Sequence, residues 1–227
     1  MNAIILAAGM GTRLRPLTNA IPKALVKVGS ESFFERQVRL LRNQGIADIT
    51  VLTGYCAEAF RPWYDETDLL FVHNEHYHDW NNLYSMFLVR NRLADTLVLD
   101  GDVWIGDEVL PSCSPATSRW YVGHRTGMAN EWVVVQDGSG RVRRIEVRGG
   151  EGWILTGISY WSAHDGPILA GVMEGMMARP DAPTLFWDDA PRNSLDDIEV
   201  RAQPLGSGAW VEVDTVDELQ SLRQRVG

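Results

Sequence analysis

The sequence predicts an α/β protein with a doubly wound sheet, and three observations carry that expectation. Short apolar runs alternate with amphipathic segments through the first half of the chain. The first run, AIILAA at residues 3–8, passes directly into glycines and positive charge. The fourth, TLVLDGDV at residues 96–103, ends in acids. Strand–helix alternation of this kind builds a largely parallel sheet, whose ligands bind beyond the carboxyl ends of the strands.

Taken in order, AIILAA is apolar throughout, as a strand covered on both faces is, and Gly9 ends it. FFERQVRLLRNQG places Phe34, Val38 and Leu41 at i, i+4 and i+7 ahead of Gly45, which predicts an amphipathic helix with a glycine stop. ITVLTG and LLFVHN read as two further strands, separated by a helical stretch over residues 57–64. NNLYSMFLVRNRL reads as a helix capped by Asn81 or Asn82, and TLVLDGDV as the fourth buried strand. The rhythm then changes. RWYVGHR, EWVVVQD and RVRRIEV are strand-like, and DGSG at residues 137–140 supplies a hairpin turn. TGISYW predicts another strand before a helix running to about Met177. Residues 178–197 are turn-rich and acidic, EVRAQ and AWVEVDT read as closing strands, and VDELQSLRQR as a last helix.

Composition narrows the chemistry. The 227 residues are 45% hydrophobic and 22% charged, the balance of a soluble globular chain with a full core. Cys56 and Cys113 follow neither a disulfide nor a metal pattern, so a reducing cytoplasmic compartment is expected. No secretory leader is expected, and no run approaches the ~20 apolar residues of a membrane span. HNEHYH, with His73, His76 and His78, lacks the spacing of a zinc site. A net charge of −9 disfavours broad nucleic-acid binding, which needs a basic face. Against that balance, the first thirty residues hold Arg13, Arg15, Lys23 and Lys27 and no acid. Such an island calls for a small anionic ligand.

That island is AAGMGTRLRPLTNAIPKAL, residues 7–25, with two glycines, two arginines and a Pro-Lys pair. Three ways of handling phosphate compete for it. A P-loop requires G-x-x-x-x-G-K-[ST], and no lysine follows these glycines at that spacing. A dinucleotide fingerprint requires G-x-G-x-x-G, and Leu14 stands where the third glycine belongs. The third is a glycine-rich loop that wraps a nucleoside triphosphate, its backbone N–H groups facing the phosphates. Arg13 and Lys23 would close over them, arginine gripping two oxygens and lysine supplying a compact charge. For so short a motif alone, a solvated basic turn is the plain alternative.

The motif does not stand alone. LAAGMGTRLRPLT followed by PKAL resembles the opening of the nucleotidyltransferase family that activates phosphorylated sugars and alcohols. Gly9, Gly11, Thr12, Arg13, Leu14, Pro22 and Lys23 match its G-x-G-[ST]-R-[LM] and P-K pattern. Farther on, DWNNLYSMFLV, LVLDGDV, NEWVVV, TGISYW, LFWDD and WVEVDT are similar, in this order, to segments of bacterial CTP:phosphocholine cytidylyltransferases. They are equally similar to related cytidylyltransferases acting on aminoalkylphosphonates. The resemblance runs over nearly the whole chain. It implies a Rossmann-like doubly wound mixed sheet with an antiparallel, substrate-facing layer. It also implies a single domain over 1–227, with nucleotide bound by residues 1–110 and acceptor by residues 111–227. The implied partners are CTP, Mg²⁺ and a small phosphorylated or phosphonate amine or alcohol, with neither nucleic acid nor membrane; a homodimer is left open.

Asp100 and Asp102 end the fourth strand, and period-2 geometry puts both on one face with Gly101 between them. Magnesium is usually held by one or two carboxylates together with substrate phosphates. The resemblance assigns the metal to Asp102 and to Asp214 in VEVDT. It gives catalysis to Lys23, at the α-phosphorus, and Arg13, on the departing pyrophosphate. Asp100 and Glu212 are lesser candidates, supporting the metal or the ribose. The same resemblance lays the nucleotide over Leu6, Ala7, Ala8 and Gly9, with Gly11 and Thr12 in the loop and Tyr55, Asn81, Asn82 and Ser85 nearby. Asn81 and Asn82 could instead cap the following helix.

For the acceptor, the nine tryptophans matter, because several stand beside acids. A quaternary ammonium has no hydrogens to donate and is recognised by aromatic faces and nearby carboxylates. Trp132 with Glu131, and Trp187 with Asp188 and Asp189, fit that requirement, with Tyr84 in support; core packing is the competing role for both tryptophans. The expected reaction transfers CMP from CTP to phosphocholine. A phosphonate acceptor is the alternative, then a sugar 1-phosphate; a non-catalytic nucleotide sensor and a dehydrogenase are the remaining ones.

Overall fold

The computed structural model describes residues 1–226. Its first half follows the alternation of the sequence: β1 (Asn2–Leu6), the short pair β2 (Lys27–Val28) and β3 (Glu31–Ser32), α1 (Phe33–Asn43), β4 (Ile49–Thr53), β5 (Leu69–His73), α2 (Asn82–Leu88), β6 (Thr96–Asp100) and β7 (Val103–Ile105). Then come β8 (Ser118–Gln136), β9 (Val142–Trp161), α3 (Asp165–Met177), α4 (Asp189–Arg192), β10 (Val200–Pro204), β11 (Trp210–Glu212) and α5 (Val216–Val226). Seven strands form one sheet in the order β10-β8-β9-β6-β1-β4-β5. β1 runs parallel to β4 and β6, while β9 is antiparallel to both β6 and β8. The doubly wound mixed sheet is therefore present.

Strand periodicity explains why both faces are covered. Ala3, Ile5, Val51, Leu97 and Leu99 pack with Phe34, Val38 and Leu41 of α1 on one side. Their neighbours Ile4, Leu52 and Val98 pack with Met86, Leu169 and Met173 of α2 and α3 on the other. Successive side chains of a strand point to opposite faces, so each strand feeds two cores. The entry to α1 is fixed by a capping box: Ser32 Oγ accepts from Glu35 N, and Glu35 accepts from Ser32 N.

The structure departs from the sequence reading in four places. The strand-like runs at 119–125 and 131–137 are one strand, β8. Those at 141–147 and 156–161 are likewise one strand, β9. The glycine-rich breaks between them bend the hairpin through several register shifts without ending it. Residues 57–63 are a 3₁₀ helix rather than an α-helix, with Pro62 inside it lacking the N–H that an α-ladder needs. The helix from Asn82 stops at Leu88, and a 3₁₀ turn follows at Arg90–Arg92. Finally, β6 ends at Asp100, and Asp102 lies in the turn to β7, which leaves the large sheet to pair with β11. Asp100 and Asp102 are thus not held on one strand face.

That turn is clamped from below. Gln37 of α1 is fully buried and donates from Nε2 to Asp100 O at 2.8 Å and to Val103 O at 2.9 Å. Two carbonyls flanking Gly101-Asp102 are thereby satisfied by one side chain. Gln37→Leu keeps the volume and removes both donors, leaving buried carbonyls without partners. It should cost about 2–3 kcal/mol, measured by urea unfolding. An unchanged midpoint would show that the clamp contributes nothing.

Candidate active site

The basic loop is built backward from its glycines. Gly11 sits at φ 56°, and a Cβ there would meet Lys23 Cβ at 2.9 Å, so glycine is required for both conformation and space. Thr18 is buried and donates to Gly11 O at 2.8 Å, folding the loop back on itself. Tyr55 fastens the far side, its hydroxyl 2.9 Å from Thr18 O and from Asn19 O. Pro22 precedes a 3₁₀ turn at Lys23–Leu25, which brings Lys23 beneath the loop. There Lys23 Nζ lies 2.7 Å from Asp102 and 2.8 Å from Asp214. Burial alone would lower the ammonium's pKa, but the two carboxylates outweigh it and the pKa is raised. Arg13, largely exposed, reaches Asp214 at 2.8 Å.

These groups line a hollow of about 200 Å³ together with Leu6, Ala7, Gly9, Thr12 and Gly101. A second hollow of about 320 Å³ shares Leu6, Gly9 and Asp102 with it, and adds Ala8, Asn81, Asn82, Ser85, Asp100 and Glu212. Asn74, Tyr77 and Trp80 line it too. Asn74 is buried and holds Ser85 Oγ at 2.8 Å. Neither Asn81 nor Asn82 caps α2 with its side chain. Asn81 Nδ2 donates to Thr184 O at 2.6 Å, and Asn82 Oδ1 accepts from Trp187 N at 2.9 Å, tying the helix start to the segment opposite.

A third hollow of about 240 Å³ continues from Asn82, Asp100 and Glu212 to Glu131, Trp132, Phe186 and Asp188. Trp132 and Phe186 meet edge to face, centroids 6.2 Å apart at 83°. Beneath them the acids outnumber their cations. Glu131 lies 3.3 Å from Arg125, and Glu212 reaches the same guanidinium only at 4.0 Å. Burial pushes the Glu212 carboxyl up to about 7, helped by Asp102 and Asp214 and opposed by Arg125. Asp188 is likewise raised to about 7, by burial and by neighbouring Asp189. Asp100 is raised well above the usual range, by burial and then by Asp102, Asp188 and Glu212. It fits there because Gly157, at φ 72°, leaves room: a Cβ would stand 2.7 Å from Asp100 Oδ2. One open cleft thus begins with cations at a glycine loop and ends in acids under aromatic rings.

The nucleotidyl transferase family model matches residues 2–119. The chain belongs to that family. It is 33% identical to choline-phosphate cytidylyltransferase of Streptococcus pneumoniae over 224 residues, covering 99% of this chain and 97% of that one. It is 32% identical to 2-aminoethylphosphonate cytidylyltransferase of Lancefieldella rimae over 221 residues, 96% of this chain and 90% of the other. The solved structure of CTP:phosphocholine cytidylyltransferase from Streptococcus pneumoniae superposes with a TM-score of 0.95 at 32% identity, covering 100% and 99% of the two chains.

Within this nucleotidyltransferase the cleft gathers most of the residues singled out in the sequence, and four stand elsewhere. Trp187 is 2% exposed and packs edge to face on Trp161, centroids 5.7 Å apart, as part of the core. The residue before it, Phe186, is 44% exposed and supplies the aromatic face instead. Asp189 accepts from Phe186 N at 3.0 Å and so shapes the turn. Tyr84 stacks on His76 and Trp80 at 4.8 and 5.3 Å, behind the lining. Tyr55 holds the basic loop from outside. Asn74, Tyr77, Trp80 and Phe186 escape a sequence reading. Trp80 carried a signal as a tryptophan beside an acid, Asp79, and Phe186 lies within the LFWDD segment.

Among the described residues no three metal-ligating side chains converge, but Asp102 and Asp214 do. The Lys23 ammonium lies within 2.8 Å of an oxygen of each, so the pair already accommodates a cation between them. Two carboxylates without nitrogen or sulfur ligands suit a hard divalent cation that completes its shell with phosphate and water.

The raised acids have a thermodynamic consequence. A carboxyl whose folded pKa exceeds its unfolded value binds its proton more tightly when folded, so stability falls as pH rises from about 4 through 7. Asp188→Asn removes that penalty at Asp188. At pH 8 the variant should melt ~2–4 °C above the parent, with the difference vanishing near pH 4. Equal melting temperatures at pH 8 would show that Asp188 is not destabilised by its site.

Proposed function

We propose that the chain is a Mg²⁺-dependent cytidylyltransferase that transfers CMP from CTP to phosphocholine, releasing pyrophosphate and CDP-choline. One observation carries the acceptor: Asp100, Asp188 and Glu212 stand in the cleft with too little positive charge, beneath the faces of Trp132 and Phe186. A ligand that brings a cation without hydrogen-bond donors satisfies both the acids and the aromatic rings. The two cytidylyltransferase relatives support the nucleotide and the reaction type.

Triphosphate lies along the loop from Gly9 to Arg13, and the nucleoside extends into the hollow of Ala8, Asn81, Asn82 and Ser85. The head group of the acceptor occupies the third hollow, which turns its phosphate toward Lys23. An oxygen of that phosphate attacks the α-phosphorus; the new P–O bond forms as the bond to the β-phosphate bridging oxygen breaks, and pyrophosphate departs. No base has to remove a proton, since a phosphate monoester with a second pKa ≈ 6 is largely dianionic near neutrality. The protein must align two anions and offset their repulsion. Lys23 neutralises charge at the α-phosphorus, and Arg13 holds the leaving pyrophosphate. Asp102 and Asp214 would hold Mg²⁺, which supplies charge neutralisation between the reacting phosphates. Residues 1–110 form the nucleotide half and residues 111–227 the acceptor half of one domain, although Asp214 crosses that division. A cytoplasmic location belongs to this reading and is supported by the use of CTP and by two cysteines outside any disulfide, Cys56 and Cys113.

The second reading is 2-aminoethylphosphonate as acceptor, favoured by the same carboxylates, which can take directed hydrogen bonds from a primary ammonium. Pyrophosphate release with CTP distinguishes the two. Phosphocholine should be used with the higher kcat/KM; a preference for the phosphonate overturns the quaternary-ammonium assignment while keeping the reaction. Lys23→Ala should lower kcat about 10²–10³-fold, and an unchanged kcat removes Lys23 from the chemistry. Trp132→Ala or Phe186→Ala should raise the KM for phosphocholine about tenfold, on the ~0.5–2 kcal/mol scale of each face, with kcat little changed. If KM stays constant in both, the rings do not hold the head group.

A further inference from the structure

A small hollow of about 40 Å³ adjoins the acid end of the cleft, sharing Asp100, Gly157 and Asp188 with it. Trp120 and Ser159 stand on its far side, and no step of the reaction uses either. Sheet register brings them there. Trp120 of β8 pairs directly with Ser159 of β9, so their side chains share one face of the sheet. Period-2 alternation puts Trp161 on that face as well. Trp161 meets Trp120 edge to face, centroids 5.5 Å apart, and meets Trp187 likewise at 5.7 Å. The three tryptophans are buried and locked together. Trp187 delivers Asp188, its neighbour in the chain.

Polar hydrogens are left over in this packed corner. The indole N–H of Trp120 is buried and makes no hydrogen bond to any described protein atom. Trp161 shows the satisfied case, donating from Nε1 to Ser159 Oγ at 3.0 Å. A buried tryptophan usually finds such a partner, and a buried donor without one is costly. For packing alone, a ring without a polar hydrogen would serve at position 120. The Trp120 N–H does lie near enough to Asp188 to oppose the burial that raises that carboxyl's pKa. Between them the hollow has room for water, which needs roughly 10–15 Å³ and about two to four polar partners. Trp120 and Ser159 are the available donors, and Asp100 and Asp188 the available acceptors.

We propose that Trp120 is a positioning residue for the acceptor's cation site, acting on Asp188 through a water molecule held in this hollow. The water accepts from Trp120 Nε1 and Ser159 Oγ and donates to Asp188 and Asp100. One oxygen of Asp188 is then held from within, and the other is offered to the cleft beneath Trp132 and Phe186. A binding group keeps its aim only when packing and hydrogen bonds lock it from behind, and a water bridge is nearly as good as a direct bond. The tryptophan packing fixes the donor, and the donor fixes the acid. This role rests on the acceptor site proposed above, whereas the water and its partners do not.

Nuclear magnetic resonance on the full chain tests the bridge without any substrate. The Trp120 indole proton is assigned by its through-space contacts to Trp161, so no core substitution is needed. It should show a cross-relaxation peak to bound water, and Asp188→Asn should shift its signal. Absence of the water peak, or a signal that Asp188→Asn leaves in place, overturns the proposal. Pyrophosphate release then reads the role. Trp120→Phe keeps an aromatic ring in the core and should raise the KM for phosphocholine about tenfold, with kcat and the KM for CTP little changed. An unchanged KM for phosphocholine, or equal losses for phosphocholine and CTP, overturns the positioning role. The resonance measurement decides even where Trp120→Phe does not fold. A parent that releases pyrophosphate with neither phosphocholine nor the phosphonate overturns the acceptor reading, and with it the role of Trp120, while the water peak is read apart from that failure.

Discussion

The molecule is organised around one electrostatic contact, the Lys23 ammonium held between Asp102 and Asp214. The three residues come from separate parts of the chain, 79 and 191 positions from Lys23. Each is delivered by a different device. Lys23 arrives through the turn after Pro22, and Asp102 through the β6–β7 turn clamped by Gln37. Asp214 comes through the exit of β11, whose Val213 N donates to Asp102 O. β1 and β6 set the frame, paired in register from Asn2–Thr96 to Leu6–Asp100, so the loop and the acid turn leave neighbouring strands at the same level. A slip of one residue would turn every side chain of a strand to the other face. The contact therefore rests on the two hydrophobic cores that fix the register.

Charge is distributed along the cleft in a way that assigns its two ends. Near the glycine loop, carboxylates and cations balance, and the pKa of Lys23 is raised. At the far end the pKa values of Asp100, Asp188 and Glu212 are raised, and the Arg125 guanidinium, 4.0 Å from Glu212, pairs more closely with Glu131. An isolated buried carboxylate is costly, and it stays protonated until a cation compensates it. The acid end therefore holds its protons more tightly than free carboxyls do, and a positive charge placed there favours their release. Destabilising groups kept at a binding site are the usual mark of selection for function over stability.

Much of this was legible in the sequence because it is local. The glycine loop with Arg13 and Lys23 is a contiguous pattern, and the alternation of apolar runs gave the doubly wound sheet. Asp214 was reached only through resemblance, since nothing local distinguishes it from other strand-end acids. The long hairpin was hidden because glycines that normally end strands here serve as bulges within β8 and β9. In LFWDD the choice between Phe186 and Trp187 was not local either. It depends on Trp161, which captures Trp187 into the core, and on Asn82, which accepts from Trp187 N and leaves Phe186 turned outward. Asn74 and Gln37, both buried amides, carry no sequence signature, because their task is to satisfy backbone and hydroxyl groups set by tertiary structure.

The choice of lysine at position 23 follows from the same geometry. Arginine presents a planar fork suited to one bidentate partner, whereas an ammonium on a flexible stem offers three rotatable donors around a point charge. Position 23 serves two carboxylates on different elements and, in the proposed reaction, a phosphate between them. A planar fork cannot meet three acceptors that converge from different directions, and a compact charge can. Arg13 stands at the open rim, where it is 69% exposed and pairs with Asp214. In the proposed reaction a fork there exchanges one carboxylate for the departing diphosphate. On the proposed reaction, the division between a buried lysine and an exposed arginine therefore separates the group held at the reacting phosphorus from the group that faces the departing pyrophosphate.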